Sequence, residues 1–163
     1  HAREIVWAVT PQNDRVASLI ERLGDHAEEV LRAAGIACQL DLDPDPPPLA
    51  LSSEARHSLF LAVKEALHNS LKYSRATEVR LEVRVTDGWL TIGLTDNGCG
   101  FAPGERRGSG HGLRNIAARA EALGGRAEVE SAAGKGTKVT LRVPVSGNGL
   151  SKGRAAPKPG TEG

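Results

Sequence analysis

Apolar residues recur every three or four positions in three stretches of the chain, which is the spacing of an amphipathic helix. The helical repeats of apolar residues cover positions 16–34, 53–73 and 113–123. Thr10 and Pro11 are typical of the N-cap and first position of a helix, and Gly35 is typical of a helix end. The first helix is therefore expected to start near Pro11 and to stop at Gly35.

Five further stretches alternate apolar and polar residues, the pattern of a strand with one buried face. They are residues 36–42, 79–85, 90–94, 127–131 and 137–143. Asp87 and Gly88, between the second and third stretches, strongly indicate a tight hairpin turn. Half-buried strands favour antiparallel pairing. We therefore predict an α+β fold, a two-layer sandwich in which a mixed, largely antiparallel sheet of about five strands is covered on one face by three helices.

The chain of 163 residues has room for one domain with its own core. That domain is predicted to span residues 10–145. Residues 1–9 are predicted to be a junction segment, in which residues 3–9 fit either a short strand or the end of a preceding helix. The glycine-rich residues 146–163 are too polar to bury a core, which predicts a flexible tail. Because the chain begins with His1 and contains no Met, we expect it to be a piece of a longer protein.

The charge balance argues against a nucleic-acid partner. Lys plus Arg number 21 and Asp plus Glu 20, so the formal net charge is +1. A nonspecific nucleic-acid binder carries a strong positive field, and a protein that stacks bases needs more aromatic residues than the two Trp, two Phe and one Tyr present.

The second predicted helix carries a polar stripe opposite its apolar face. At the α-helical rotation per residue, Glu65, Asn69 and Lys72 fall within about 60° of one another. Oxygen ligands suit Mg²⁺ and a lysine suits phosphate, so the three side chains could hold a metal ion and the phosphates it neutralises. On its own, this pattern is more typical of a solvated helix face.

Two glycine-rich segments adjoin predicted elements. The segment 96–100 (Asp-Asn-Gly-Cys-Gly) follows a strand, and the segment 108–112 (Gly-Ser-Gly-His-Gly) leads into the third helix. Glycines before a helix let backbone N–H groups and the positive helix end approach a phosphate. Either segment alone also fits an ordinary loop.

Taken in order, these signals resemble the ATP-binding domain shared by sensor histidine kinases, type II topoisomerases, a heat-shock chaperone and mismatch-repair ATPases. The stretch 61–74 resembles the N box of that group and 96–101 its first glycine box. The second glycine box corresponds to 108–113, and Gly134-Lys-Gly-Thr137 matches the last. The resemblance implies the Bergerat-type ATP-binding fold, which is consistent with the sandwich predicted from the strand pattern.

Among these proteins the chain is most similar to histidine kinases of the nitrate-sensor type. Residues 111–125 resemble the helix after their lid, and residues 3–14 resemble the junction where their dimerisation helices end. The resemblance therefore favours the helical alternative for residues 3–9.

The resemblance also implies roles for individual residues. Asp96 would accept a hydrogen bond from the adenine amino group, supported by Thr137, and Asn69 would be the Mg²⁺ ligand. Glu65 would orient a metal-bound water or help to activate the nucleophile. The implied ATP-binding positions are Asn69, Lys72, Tyr73, Asp96, Gly98, Gly100, Phe101, Gly108, Gly110, His111, Gly112, Leu113 and Thr137.

Further roles follow the same resemblance. Lys72 would contact phosphate, Gly98 and Gly100 would let the backbone pass close to the nucleotide, and Gly110 and Gly112 would bind the triphosphate. Residues 102–111 would form a mobile lid. Tyr73 departs from the family pattern, which more often has His, so we expect the phosphate contacts to shift at this position.

The implied activity is that of the catalytic domain of a two-component sensor histidine kinase. The domain would bind Mg·ATP and transfer the γ-phosphate to a His on an upstream dimerisation domain, because no histidine of this chain has the setting of a phosphoacceptor. The expected partners are that domain and a cognate response regulator. The fragment would be a cytoplasmic monomer, and the full-length protein a homodimer that could be membrane-anchored.

Three alternatives come from other classes. A serine kinase that binds a sigma factor would be complete with its own start, which the junction-like residues 3–14 disfavour. An ATP-gated clamp of the topoisomerase type would need a following transducer domain, for which residues 146–163 are a poor beginning. A binding module that has lost its nucleotide is disfavoured by the full set of motifs.

Overall fold

The structure is a computed structural model, and it describes residues 15–98, 111–132 and 134–145. Within these residues the elements follow one another as helix, strand, helix, two strands, helix and two strands. They are α1 (Val16–Ala33), β1 (Ala37–Leu42), α2 (Ser53–Asn69), β2 (Glu78–Thr86), β3 (Trp89–Asp96), α3 (His111–Ala122), β4 (Arg126–Ser131) and β5 (Thr137–Pro144). A π-helical turn, Ser70–Ser74, continues α2.

The five strands form one mixed sheet in the order β1-β2-β3-β5-β4. β1 and β2 are parallel, and the other three pairs are antiparallel. The parallel pair is possible because α2 crosses over between these two strands. The predicted α+β sandwich with a largely antiparallel sheet is confirmed.

All three helices cover one face of the sheet. The inward strand positions are apolar and buried, and they include Leu81, Ile92 and Leu141. α1 packs against β1 and α2, while α3 packs against α2 and β4. The opposite face carries charged positions of the same alternating strands, so β2, β3 and β5 have one face in the core and one in solvent. The edge strands β1 and β4 are less covered, and their inward residues Leu40 and Val129 remain exposed.

The first helix begins later than the sequence predicted. Arg15 is extended and pairs with Ala50, and the Val16 N–H donates to the Leu49 carbonyl at 2.9 Å. This backbone pairing forces Arg15 out of helical geometry, so α1 starts at Val16. Thr10 and Pro11 lie outside the described residues. The predicted stop at Gly35 is confirmed, with φ +75° just after the C-cap Ala34.

The second helix has the predicted start and an unexpected end. The Ser52 hydroxyl accepts a hydrogen bond from the Ala55 N–H at 3.0 Å, which caps α2. After Asn69 the chain widens into the π-helical turn and leaves it at Arg75, whose φ is +59°. A π-helical turn often marks a functional site, because it re-aims the side chains that follow.

The hairpin between β2 and β3 is as predicted. Asp87 and Gly88 have φ of +55° and +78°, the two positive values that a type I′ turn requires. This turn brings β2 and β3 into a register that pairs Val79 with Asp96. In the part of the chain that the structure describes, no helix is both long and apolar enough to cross a bilayer.

An ion-pair network joins β1 to β2 on the solvent face. Arg80 donates to one carboxylate oxygen of Asp41 at 2.8 Å, and Arg84 donates to the other. These hydrogen bonds hold the pKa of Asp41 below its ordinary value of 3.8, and the one from Arg80 has the largest effect. Because the folded state has the lower pKa, the stabilisation is present above the unfolded-state pKa and is lost as the pH falls through the folded-state value.

We expect an NMR titration of the Asp41 carboxyl to show a midpoint below 3.8. In the double variant Arg80→Gln/Arg84→Gln the midpoint should move back towards the ordinary value, since both donors are then uncharged. A wild-type midpoint at or above that value, or one that the double variant leaves in place, would contradict this account.

Candidate functional site

Asp96 is the last residue of β3, and its carboxylate faces the helical layer. The strand alternation that buries Leu90, Ile92 and Leu94 places Asp96 on the same inward face, where only 5% of it is exposed. The Ser70 hydroxyl donates to Oδ2 at 2.8 Å, and the Gly98 N–H donates to Oδ1 at 2.9 Å. A buried carboxylate needs such donors, and an ionised carboxylate can accept about four hydrogen bonds. The group therefore retains acceptor capacity for a ligand.

Asn97 holds the turn after β3 in place. Its side-chain oxygen accepts from the N–H groups of Thr77 and Glu78 at 2.9 and 3.0 Å. Its side-chain NH₂ donates to the Thr77 hydroxyl at 3.0 Å. These contacts tie the first turn of the glycine segment to the start of β2. The position of Gly98, and hence its hydrogen bond to Asp96, is fixed from outside the segment.

The loop between β4 and β5 packs directly on this turn through Gly136. A Cβ at this position would lie 2.1 Å from the Asp96 carbonyl oxygen and 3.3 Å from the Asn97 Cα. Its φ of +83° is also in the left-handed region that favours glycine. Only glycine therefore allows the loop to approach the end of β3 so closely.

Thr137 follows Gly136 and pairs with Asp96 across β3 and β5. Its hydroxyl lies 2.9 Å from that of Ser131 on β4. An open cavity of ≈ 340 Å³ at these strand ends is lined by Asp96 and Thr137 and also by Thr95 and Lys138, which pair on the solvent face, so the cavity is not confined to the side of the Asp96 carboxylate. The structure thus brings Asp96 and Thr137 together, as the resemblance implied.

On α2, the predicted polar stripe is present over its α-helical part. Glu65 and Asn69 are one turn apart and are both half-buried, at the edge of the buried face of α2, which includes Ala62 and Ala66. Lys72 lies in the π-helical turn and is exposed, so the α-helical angle used to place it with Asn69 does not apply there. The backbone of Tyr73 belongs to the same turn, and its side chain lies outside the described part.

The second glycine segment leads into a helix, as predicted. α3 begins at His111, so its N-terminal N–H groups and positive dipole end lie where the segment stops. The backbones of His111, Gly112 and Leu113 are helical, and their side chains lie outside the described part. Gly100, Phe101, Gly108 and Gly110 fall outside the described residues altogether, as does the predicted lid except for its last residue.

Sequence reasoning missed four residues that build this site: Ser70, Asn97, Gly136 and Ser131. For Ser70 a signal was available, because it is a polar residue at a core-facing position of the second helix. Gly136 lay inside a recognised motif without an assigned role. Asn97 and Ser131 act through partners on neighbouring strands, which strand patterning alone does not identify.

The chain is similar to proteins of one known ATPase family. Residues 54–147 match the family model described as histidine kinase-, DNA gyrase B- and HSP90-like ATPase. This match covers more than half of the chain, and it contains α2, Asp96 and Thr137. The chain therefore belongs to this family, and membership of an ATPase family implies a site for ATP.

Two relatives show the same similarity at the level of sequence. The sensor histidine kinase LiaS of Bacillus subtilis is 35% identical over 106 residues, which are 65% of this chain and 29% of that protein. An uncharacterised sensor-like histidine kinase of Chloroflexus aurantiacus is 37% identical over 150 residues, which are 88% of this chain and 25% of that protein. The chain thus spans less than a third of the length of these relatives.

Solved structures agree with the fold. The histidine kinase domain of the blue-light-activated histidine kinase EL346 of Erythrobacter litoralis superposes with a TM-score of 0.64 at 25% identity, covering 78% of this chain and 61% of that one. The histidine kinase AdeS of Acinetobacter baumannii has a TM-score of 0.60 at 17% identity, covering 88% and 76%. Because AdeS is only 17% identical to this chain, its similarity concerns the fold alone.

We expect Gly136→Ala to be destabilising by more than about 2 kcal/mol, since it combines left-handed strain with a clash against the backbone of Asp96. Gly134→Ala is the matched control, because Gly134 has φ +79° and nothing lies within 4 Å of the place that a Cβ would take. It should show the strain alone, about 1 kcal/mol. Urea unfolding measures both, and equal losses would show that the close approach has no energetic consequence.

Proposed function

We propose that the chain is the ATP-binding catalytic domain of a two-component sensor histidine kinase. The observation that carries this proposal is the buried Asp96 carboxylate, held by two donors at the end of β3 within a fold that belongs to an ATPase family. The similarity to sensor histidine kinases supports the kinase activity. The nitrate-sensor subtype remains a prediction from the sequence.

Asp96 would recognise the adenine ring. An ionised carboxylate only accepts hydrogen bonds, and the adenine amino group donates them, so the two groups are complementary. Thr137 lies across the strand pair and can support the same contact. Gly98 would let the backbone pass close to the nucleotide, with Gly100 and Phe101 contributing from the rest of the glycine box.

The polar face of α2 would serve the phosphates. Mg²⁺ bound with ATP would neutralise phosphate charge. Among the residues that the structure describes, no group of three or more His, Cys, Asp and Glu side chains could hold a metal ion. By the resemblance to the N box, the Asn69 side-chain oxygen would bind the ion together with the phosphates, and Glu65 one turn earlier would orient a bound water or assist the nucleophile. Lys72 is exposed and would reach phosphate from the π-helical turn.

The N-terminal end of α3 would bind the triphosphate. Its backbone N–H groups and positive dipole end favour an anion. Gly108, Gly110 and Gly112 would allow close approach, with Tyr73, His111 and Leu113 completing the pocket and residues 102–111 closing over it.

The phosphoryl acceptor would be a His on an upstream dimerisation domain. Phosphoryl transfer depends chiefly on positioning and charge neutralisation, so the nucleotide domain need not carry the acceptor. His26 packs edge-on against Phe60 with ring centroids 5.0 Å apart, and His57 and His68 lie on α2. None is followed by an acidic residue. The further proposed partners are a response regulator and a second copy in the full-length protein, with the fragment itself a cytoplasmic monomer.

The first test is nucleotide binding, measured by calorimetric titration with a non-hydrolysable ATP analogue and Mg²⁺. Wild type should bind, and Asp96→Ala should bind at least about tenfold more weakly because it loses a hydrogen bond to a charged group. Thr91→Ala is the control, since Thr91 lies on the opposite face of the same strand. No binding by wild type, or equal binding by Asp96→Ala, would contradict the proposal.

The second test is phosphoryl transfer from labelled ATP. The chain alone should form little or no acid-labile phosphohistidine. Addition of a dimerisation domain from a matching kinase should give labelled His on that domain, and Asn69→Ala should lower the rate by at least about tenfold. Phosphoserine formed instead on a partner protein would support the alternative, a serine kinase of the same ATPase family that binds a sigma factor.

A further inference from the structure

Ser70 is a polar residue at a position that the helix pattern assigns to the core. It is the first residue of the π-helical turn and is only 7% exposed. Its hydroxyl donates to Asp96 Oδ2 at 2.8 Å, and the two residues are 26 positions apart in the chain. The hydrogen bond therefore joins the end of α2 directly to the end of β3.

The two oxygens of Asp96 are each engaged by a different donor. Oδ1 accepts from the Gly98 N–H and Oδ2 from Ser70, so the plane of the carboxylate is set by two elements. Both donors point at the carboxylate, and each makes a hydrogen bond to it. In the described part of the chain, the group that a ligand would meet at Asp96 is an acceptor held in one orientation.

We infer that Ser70 is a positioning residue that sets the purine preference of this site, an inference that rests on the proposed function. With Ser70 in place, Asp96 favours a base that presents a donor, as the amino group of adenine does. It disfavours a 6-oxo purine such as hypoxanthine, because two acceptors would then face each other. The discrimination between the two bases is expected to be large, because binding of the wrong base leaves a buried polar group without a hydrogen-bond partner.

Removal of the Ser70 hydroxyl is expected to change the affinity for the adenine nucleotide and the affinity for the 6-oxo nucleotide. Without Ser70, Oδ2 loses a charge-assisted hydrogen bond and the carboxylate can rotate, which weakens binding of the adenine nucleotide. The space released can admit a water, which donates to both the carboxylate and a 6-oxo group. The ratio of the two affinities is therefore more informative than either affinity.

The test measures the Kd of non-hydrolysable ATP and of its inosine counterpart, in Mg²⁺, for wild type, Ser70→Ala and Ser70→Thr. Ser70→Ala should weaken ATP-analogue binding by about tenfold and inosine-analogue binding by less than about threefold, since the lost hydrogen bond is made to a charged group. Ser70→Thr, which keeps the hydroxyl, should retain the wild-type ratio. The control is Ser58→Ala, on the same helix, where the hydroxyl contacts Arg119 instead.

If Ser70→Thr does not fold, a double-mutant cycle tests whether Ser70 acts through Asp96. In an Asp96→Asn background the hydrogen bond is no longer charge-assisted, so Ser70→Ala should change the affinity ratio by less than half as much. An equal change in both backgrounds would show a general effect on the fold and overturn the inference.

Different results would overturn the proposed function and the role of Ser70. Wild type that binds neither nucleotide overturns the proposed function and, with it, the role of Ser70. Wild type that binds the ATP analogue and loses it in Asp96→Ala, while Ser70→Ala keeps the wild-type ratio, overturns the role of Ser70 alone.

Discussion

A buried carboxylate at the end of a strand is the constraint on which the rest of this site depends. Asp96 continues the inward face of β3, and a charge at that depth is stable only with donors close by. Ser70 and the Gly98 N–H supply them, and Gly136 lets the β4–β5 loop close against the same backbone. The end of α2 and the β4–β5 loop, which are far from Asp96 in sequence, are thereby brought to this one residue.

The two-layer architecture explains why the proposed ligand-binding groups lie at one edge of the sheet. The helices cover a single face, so the opposite face is available for ion pairs such as those of Asp41. On the covered face, the apolar packing of β3 ends at Asp96 and that of α2 ends near Asn69. The polar site lies where the buried face of β3 and the buried face of α2 both end.

Much of this could be predicted from the sequence, because each prediction used information local to one element. Alternation with period two located all five strands, and Asp87–Gly88 identified the hairpin, since its positive φ values depend on those two residues. The start of α1 was wrong because a distant pairing, Arg15 with Ala50, overrides the local helix signal. The α-helical rotation used to place Lys72 does not apply to it, since the π-helical turn interrupts the regular rotation.

The sequence by itself determined the periodic elements, the hairpin and the identity of the groups that can carry chemistry, because these follow from neighbouring residues. Through the resemblance that the ordered motifs carry, it also singled out Asp96, Thr137 and Asn69 as a set. Only the tertiary structure decided which groups hold Asp96, why Gly136 must lack a side chain, and how Asn97 fixes the turn. Those contacts join residues that are far apart in the chain, and their energies arise from burial and close approach, which no local pattern records.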